Sequence, residues 1–338
     1  MKIECRNCKK VFNIPDDRLP KDESIAFPCP SCKSRIEIDL RKGPDEETGS
    51  SPAKKQSDHP TGEALKKKIL RNVLDLPPMP QTVLKARDIM ADPKSDFKQL
   101  AELLKTDQAI ATKLLKLANS PYYGLSGKVS SIQRASVVLG HKTIGELITM
   151  GGTSSLLSGR LEGYGLDAGA LWKHSLAVAF GSRIIAKKKE PNLTNDAFTS
   201  GLIHDSGKLI LDKYIAERWG LFEEYMADGR HTFLEAEKEL LHLDHAEVAS
   251  EVCKVWNIPG HLTVAIKYHH HPSRAQGNRL AYIVHVADAI AMMTGLGLGI
   301  DGTLYQLDDK AMDSLDLKEE DVNDIMAEVL EAAKKITE

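Results

Sequence analysis

Residues 244–260 read DHAEVASEVCKVWNIPG, and their spacing decides the fold. Asp244 followed three residues later by Glu247 is a capping-box pattern, in which each side chain accepts from a backbone amide that the opening helix leaves without a partner. Val248, Val252, Val255 and Trp256 then fall at i, i+4, i+7 and i+8, one face of a helix. Asn257-Ile258-Pro259-Gly260 stops it, because proline has no amide hydrogen and disfavours helix in the residue before it.

The same period recurs outward from this stretch. Upstream it is carried by Leu65, Ile69 and Leu70, by Val83, Leu84, Ile89 and Met90, by Leu100, Leu103 and Leu104, and by Ile110, Leu114, Leu115 and Leu117. Leu76-Pro77-Pro78-Met79-Pro80 and Asp92-Pro93 break it, Asp96 with Gln99 resembles a second capping box, and Asp107 can cap a helix. Leu171, Val178, Ile184 and Ile185 mark a further helix. No strand-like run bounded by hairpin turns occurs in residues 63–338, and no repeat of fixed period. The expectation for this part is all-α.

Residues 41–62, RKGPDEETGSSPAKKQSDHPTG, hold no large apolar residue and read as a flexible, solvated linker. Residues 1–40 differ again. Ser34 to Leu40 alternates polar and apolar, and Val11 to Ile14 does so more loosely, which is the period of a strand. A segment this small needs a staple. Cys5-x-x-Cys8 and Cys29-x-x-Cys32 supply one, since two such turns offer four thiolates to one tetrahedral zinc ion. With four cysteine ligands no position is open, so the expected role of the zinc is structural. The domain scheme is a four-cysteine zinc ribbon over 1–40, a linker over 41–62, and a helical domain over 63–338.

The chain has 338 residues, 42% hydrophobic and 28% charged, with a formal net charge of -3. That balance lacks the basic excess of a protein built to grip nucleic acid. Arg6, Lys9, Lys10, Lys33 and Arg35 near the cysteines are offset by Asp16, Asp17, Asp22 and Glu23. The helical pair over Leu100–Asn119 has a helix-turn-helix outline, but Lys113 and Lys116 are the basic residues of its second helix. Nucleic acid is therefore not the expected partner. Residues 1–15 do not read as a signal peptide, and no stretch is apolar for long enough to span a bilayer. The expected location is cytoplasmic, with no membrane association.

The chemistry-bearing residues gather in the second half. His204-Asp205 lies in GLIHDSGK, residues 201–208, with His174 upstream and His245, His269-His270-His271 and Asp288 downstream. Imidazole mixed with carboxylate suits Fe, Mn or a similar divalent ion, with positions left for water and phosphate. Two such ions can clamp a phosphate and generate a nucleophile. His269 follows the stripe Leu262, Ala265 and Ile266, and Asp288 shares a face with Ala281 and Val284. A carboxylate on an apolar face needs a partner. His245 falls at the first position after the Asp244 cap, and Lys208 sits where it can balance charge on a phosphoryl group. His285, one turn before Asp288, is placed to support the site. His59, His141, His231, His242 and His261 read as ordinary surface or core histidines, and His271, before Pro272, as exposed. Cys253 and the three tryptophans read as packing residues, and Lys187-Lys188-Lys189 as a solvated helix end.

Residues from about 65 to 310 resemble the HDOD family, relatives of the HD-domain metal phosphohydrolases. The phrases that carry this are LPPMP at 76–80, LAELLKTDQAIATKLLKLANSPYYG at 100–124, Val129 to Ala135, Val138-Leu139-Gly140, AFTSGLIHDSGKLIL at 197–211, HAEVASEVCKVWNIP at 245–259, IKYHHHP at 266–272 and IVHVADAIA at 283–291. The resemblance implies a two-lobed helical fold, with an N-lobe over about 63–165, an HD-like C-lobe over about 166–310 and a last helix to 338. It implies bacterial signalling, often beside two-component or cyclic dinucleotide pathways. It also implies that His174, His204, Asp205, His245, His269, His270 and Asp288 stand at the ligand positions of catalytic HD relatives, with Lys208 and Asp205 as the catalytic pair of an active member. Residues 1–40 resemble the short zinc ribbons that precede bacterial signalling proteins. The Gly-Tyr-Pro phrase that follows the double histidine in cyclic di-GMP phosphodiesterases is absent: the run here is His269-His270-His271-Pro272-Ser273-Arg274. The leading expectation is a regulatory protein that acts on signalling partners by contact and keeps an HD-type metal site. The alternatives are a metal-dependent phosphohydrolase of nucleotides or cyclic nucleotides, and a nucleic-acid-binding regulator that uses the ribbon. The residues alone leave open whether the chain is an enzyme.

Overall fold

The computed structural model describes residues 2–4, 10–13, 24–28, 35–39, 61–91, 97–125, 127–302 and 307–337. The chain divides into two compact units, Met1–Asp58 and His59–Glu338. In the first, strand β1 (Lys2–Glu4) pairs antiparallel with β2 (Val11–Asn13), and β3 (Ser24–Pro28) pairs antiparallel with β4 (Arg35–Asp39). β2 and β4 coincide with the two alternating stretches. The four ribbon cysteines lie outside the described residues, as does nearly all of the expected linker.

The second unit holds fifteen α-helices among its described residues. The first five are α1 (Gly62–Asn72), α2 (Gln81–Ala91), α3 (Phe97–Lys105), α4 (Gln108–Ala118) and α5 (Ile132–Leu157), which is broken at Gly140. Then come α6 (Ala170–Lys189), α7 (Thr194–Ile203), α8 (Lys208–Glu217), α9 (Trp219–Met226) and α10 (Phe233–Leu241). The chain closes with α11 (His245–Val255), α12 (Gly260–Lys267), α13 (Arg279–Met293), the single turn α14 (Ala311–Ser314) and α15 (Glu319–Thr337).

The local signals act where the sequence places them. Asp107 caps α4 by accepting from the Ile110 amide at 3.0 Å. Asp244 accepts from the Glu247 amide at 2.7 Å while Glu247 accepts from the Asp244 amide at 3.3 Å, which closes the capping box of α11. The proposed Asp96 cap lies outside the described residues. α1 ends at the 3-10 turn Val73–Asp75 ahead of Pro77, and the Trp256 indole donates to the Pro77 carbonyl at 3.2 Å, which ties that break to α11.

α13 is apolar on every side and is buried continuously from Leu280 to Ala291, as a central helix must be. α6 lies against it and against α7 and α15. Two glycines let backbones meet around the His-Asp turn. A Cβ on Gly201 would stand 2.8 Å from the Val178 carbonyl oxygen of α6, and one on Gly207 only 2.0 Å from the His245 carbonyl oxygen of α11. The turn Ile203–Lys208 is thereby clamped between the helices that carry His174 and His245. Cys253 and Trp256 are buried, and Trp172 and Trp219 pack partly buried against the core. Lys188 and Lys189 are ion-paired, to Glu328 at 3.1 Å and to Asp321 at 3.8 Å, so the end of α6 is tied to α15 rather than merely solvated. No described helix is long and apolar enough to cross a membrane.

Candidate metal centre

Five pieces of backbone deliver seven side chains to one place. His174 comes from the second turn of α6, and His204 and Asp205 from the turn after α7. His245 opens α11, His269 and His270 follow α12, and Asp288 lies within α13. All but His270 are buried. His245 opens its helix as expected, and Asp288 is on a buried face. His269 lies just past the end of α12, in a turn, rather than on the helix that carries its apolar stripe.

Asp205 stands at the centre and uses its two oxygens differently. Oδ2 lies 3.6 Å from His174 Nε2, 3.3 Å from His204 Nε2 and 2.6 Å from Lys208 Nζ. Oδ1 lies 3.4 Å from His245 Nε2 and 4.0 Å from His269 Nε2. Asp288 closes the first side, with Oδ1 3.0 Å from His174 Nε2 and 3.7 Å from His204 Nε2. On the other side His270 Nε2 meets His245 Nε2 at 2.7 Å. Three sets of potential ligand atoms, each mutually within 4.8 Å, result: His174, His204 and Asp205; His204, His269 and Asp288; His245, His269 and His270. The sets share His204 and His269, so they form one continuous cluster.

The outer ring nitrogens fix the inner ones. His204 Nδ1–H donates to the Gly201 carbonyl at 2.8 Å and His269 Nδ1–H to the Ile266 carbonyl at 2.7 Å. A carbonyl only accepts, so Nδ1 carries a proton in each ring and Nε2 is the atom turned inward; His269, held neutral, presents a lone pair there, and His204 does so once Nε2 gives up its proton. His245 Nδ1–H donates at 2.8 Å to Glu237, a wholly buried carboxylate that also accepts from the His245 amide at 2.9 Å and from the Tyr164 hydroxyl at 2.6 Å. This carboxylate-to-imidazole arrangement is how proteins orient and strengthen metal-binding histidines. His204 Nε2 and His269 Nε2 are buried without a hydrogen-bond partner. An orphaned buried polar atom is costly, and a cation would satisfy both.

Burial pulls in opposite directions across the cluster. It would lower the pKa of His204 and His245, but Asp205 wins at His204, and Glu237 wins at His245, which rises to about 9. Burial together with the neighbouring His204 drives His269 down to about 3, and burial with the neighbouring His269 holds His270 well below the ordinary range. Despite burial, His204 and Lys208 hold Asp205 ionised, and His174 and His204 do the same for Asp288. The donors are thus ionised carboxylates and imidazoles, two of them poor bases toward protons.

A pocket of about 390 Å³ opens onto the cluster. Its lining includes His174, His245, His270, Asp288 and Lys208 of the cluster, apolar Phe233, Leu234, Met292 and Leu307, and both cations, Lys238 and Arg274, and carboxylates, Glu235, Asp301 and Asp308. His271, expected exposed, is half-buried and lines the pocket, because the turn at Pro272–Arg274 folds it back. His285 donates from Nδ1 to the His269 carbonyl at 2.6 Å and accepts the Asp308 amide at Nε2 at 2.8 Å, supporting the double histidine from behind. His231 and His261 are exposed or nearly so beside acidic residues. Sequence reasoning missed Glu237, Tyr164 and Asp301, the last of which contacts Lys208.

The HDOD domain profile matches residues 76–272. A Treponema pallidum (strain Nichols) protein named only as uncharacterized is 22% identical over 203 residues, 60% of this chain; the match spans 39% of that relative's own length. A solved HDOD domain protein of unknown function from Geobacter sulfurreducens is 26% identical, with 81% of this chain and 96% of that one covered at a TM-score of 0.67. A Shewanella amazonensis SB2B structure, provisionally named a phosphohydrolase, is 25% identical, with 79% and 96% covered at a TM-score of 0.62.

Proposed function

The chain belongs to the HDOD domain family, and from that premise we propose that its buried cluster holds one or two first-row divalent ions and hydrolyses a phosphoester, in a bacterial signalling setting. The observation that carries this reading is the cluster's combination with an open pocket. An ion kept only for structure needs no access, whereas here Lys208, Asp288 and three of the candidate ligand histidines line a cavity that also holds apolar side chains and charges of both signs. The mixed nitrogen and oxygen donors fit Mn or Fe, and His204 Nε2 and His269 Nε2, both turned inward without a hydrogen-bond partner, each fit a ligand position. When bound, such ions supply Lewis acidity toward a phosphoryl oxygen and acidify water.

The side chains divide the work. His174, His204, Asp205 and Asp288 would hold one ion, and His245, His269 and His270 with the second oxygen of Asp205 the other. Glu237 keeps the His245 ring oriented. Lys208 would stabilise negative charge on the phosphoryl group. Phe233, Leu234, Met292 and Leu307 would receive the organic part of a nucleotide, with Lys238 and Arg274 meeting further negative charge. The missing Gly-Tyr-Pro phrase directs the reading away from cyclic di-GMP. The test is to reconstitute the full chain with Mn or Fe, measure metal content, and assay nucleotides, cyclic nucleotides and a chromogenic phosphodiester. Metal above the four-cysteine content, hydrolysis, and loss of both in Asp205→Asn are expected. Metal equal to the ribbon zinc alone would end this reading.

A regulatory reading through protein contacts keeps one observation of its own. Val137 and Val138, adjacent on the first part of α5, are 73% and 52% exposed. If that pair serves a signalling partner, Val137→Asp with Val138→Asp abolishes partner capture from native cells and leaves metal content unchanged.

A further inference from the structure

Lys208 is buried beneath the pocket and meets two carboxylates. Asp205 Oδ2 lies 2.6 Å from its Nζ, and Asp301 Oδ2 touches the same Nζ. Two carboxylates on one ammonium leave no net positive charge there for an incoming phosphoryl group. Asp205 belongs to the cluster; Asp301 does not. It arrives on residues 295–302, Gly-Leu-Gly-Leu-Gly-Ile-Asp-Gly, which run on from α13.

Packing holds this strap against the site. Gly297 sits at φ +66, and a Cβ there would stand 2.2 Å from the Ala170 carbonyl oxygen and 2.8 Å from the His174 amide nitrogen. The strap therefore lies directly on the backbone that carries His174. Beyond it, the Ile300 amide donates to the Tyr164 carbonyl at 3.0 Å, and the Ile300 side chain fills the space over Gly165, 2.8 Å from where a Cβ would be. These contacts bring Asp301 into the pocket lining beside His174, Lys208 and Asp288. A carboxylate and a phosphoryl oxygen pair in the same way with an ammonium, so the two compete for one position.

We propose that Asp301 occupies the phosphate position on Lys208, as a built-in stand-in for the substrate, and leaves the lysine when an anionic ligand enters. This rests on the phosphohydrolase reading for its biological meaning. An internal competitor lowers the apparent affinity for phosphate by the fraction of molecules in which it has withdrawn, so removing its charge raises that affinity.

The test uses the full chain loaded with Mn, with inorganic phosphate as the probe in calorimetric titration. Asp301→Asn is expected to bind phosphate at least tenfold more tightly than the native chain, and Asp301→Glu, which keeps the carboxylate, to stay near native affinity. Hydrogen exchange on the metal-free chain supplies a second readout: if the ion pair pins the strap, the Ile300 amide exchanges at least tenfold faster in Asp301→Asn. Equal or weaker phosphate binding in Asp301→Asn overturns the proposal, and so does unchanged exchange at Ile300. Should the chain take up Mn and bind phosphate but hydrolyse no ester, the reaction falls and the phosphate comparison still decides the strap. Should no Mn load, the exchange measurement decides it alone.

Discussion

Glu237→Gln isolates the orientation of one ligand. The native carboxylate accepts from three donors, the Tyr164 hydroxyl and two nitrogens of His245. Glutamine can keep the geometry, since its carbonyl accepts from both His245 nitrogens and its amide can donate to a turned Tyr164 hydroxyl. What it removes is the charge. In the native chain that charge holds His245 protonated, with a pKa of about 9, so at pH 7 an ion must displace a proton. The penalty is about two pH units, or roughly 3 kcal/mol. It vanishes as the pH approaches 9. In the variant, Asp205 alone is left to oppose burial, so His245 falls toward its ordinary value and most of the penalty at pH 7 disappears. The variant also loses the support that a carboxylate gives a metal-bound imidazole, typically ~10–100-fold in affinity. The two effects oppose each other at pH 7 and separate as the pH rises. Native and variant chains should therefore bind Mn about equally at pH 7, while the native chain gains about 20-fold over the variant by pH 8.5. Chelator-competition titrations at several pH values read the ratio directly. A ratio that does not change between pH 7 and 8.5 refutes the role assigned to Glu237.

Filling both proposed positions should release between one and two protons at pH 6.5, from His245 and from the raised His204, and fewer as the pH rises toward 9, where His245 is about half deprotonated; calorimetry in buffers of different ionisation enthalpy counts them. Gly207→Ala places a methyl 2.0 Å from the His245 carbonyl oxygen, so the His204-Asp205 turn and α11 must part; a stability loss of about 1–3 kcal/mol and a much weaker metal site are expected in thermal melts with and without Mn. Asp244→Ala removes the cap of α11 and a 2.9 Å ion pair with Lys238, at a cost of about 1 kcal/mol in denaturant unfolding at neutral pH. His245 and Lys238 outweigh burial and hold the Asp244 carboxyl below its ordinary value, so this contribution is present above that value and is lost as pH falls through the folded one; the gap between native and variant chains should close in strong acid.

The helical period and its caps could be read directly because they are local. Asp244 and Glu247 sit three residues apart and satisfy each other in the same turn, whatever the rest of the chain does. Asp288 was legible for a different reason: a carboxylate among Ala281 and Val284 on one face has no local partner, so a tertiary one must exist. The same argument applies to Glu237, which lies between Phe233 and Leu241 on the buried face of α10. It was hidden because Glu235 and Glu239 flank it, and three alternate glutamates read as one solvated surface. Asp301 carried no signal at all. A glycine-rich run has neither the strand nor the helix period, and what places Asp301 is the absence of side chains at Gly297 and Gly165, a negative feature visible only once their neighbours are known. His271 was misjudged because a residue before proline reads as extended and exposed, whereas the 3-10 turn at Pro272 folds its ring toward the pocket.

The charges around Asp205 suggest why so many ligands persist together. Asp205, Asp288, Glu237 and Asp301 are acidic, and Lys208 is the fixed cation that meets two of them. Without an ion, the remaining balance comes from protons on His204 and His245, both held there by the carboxylates beside them. On the proposed reading, a divalent ion at either position displaces one of those protons and adds one unit of positive charge. If the proposed ions bind, the buried cluster exchanges a state closed by protons for one closed by metal. Losing Asp205 or Asp288 would upset both states at once, and losing His204 or His245 would remove a ligand from the one and a cation from the other. Ligands coupled in this way are expected to be kept or lost as a set, and here all seven converge on one site.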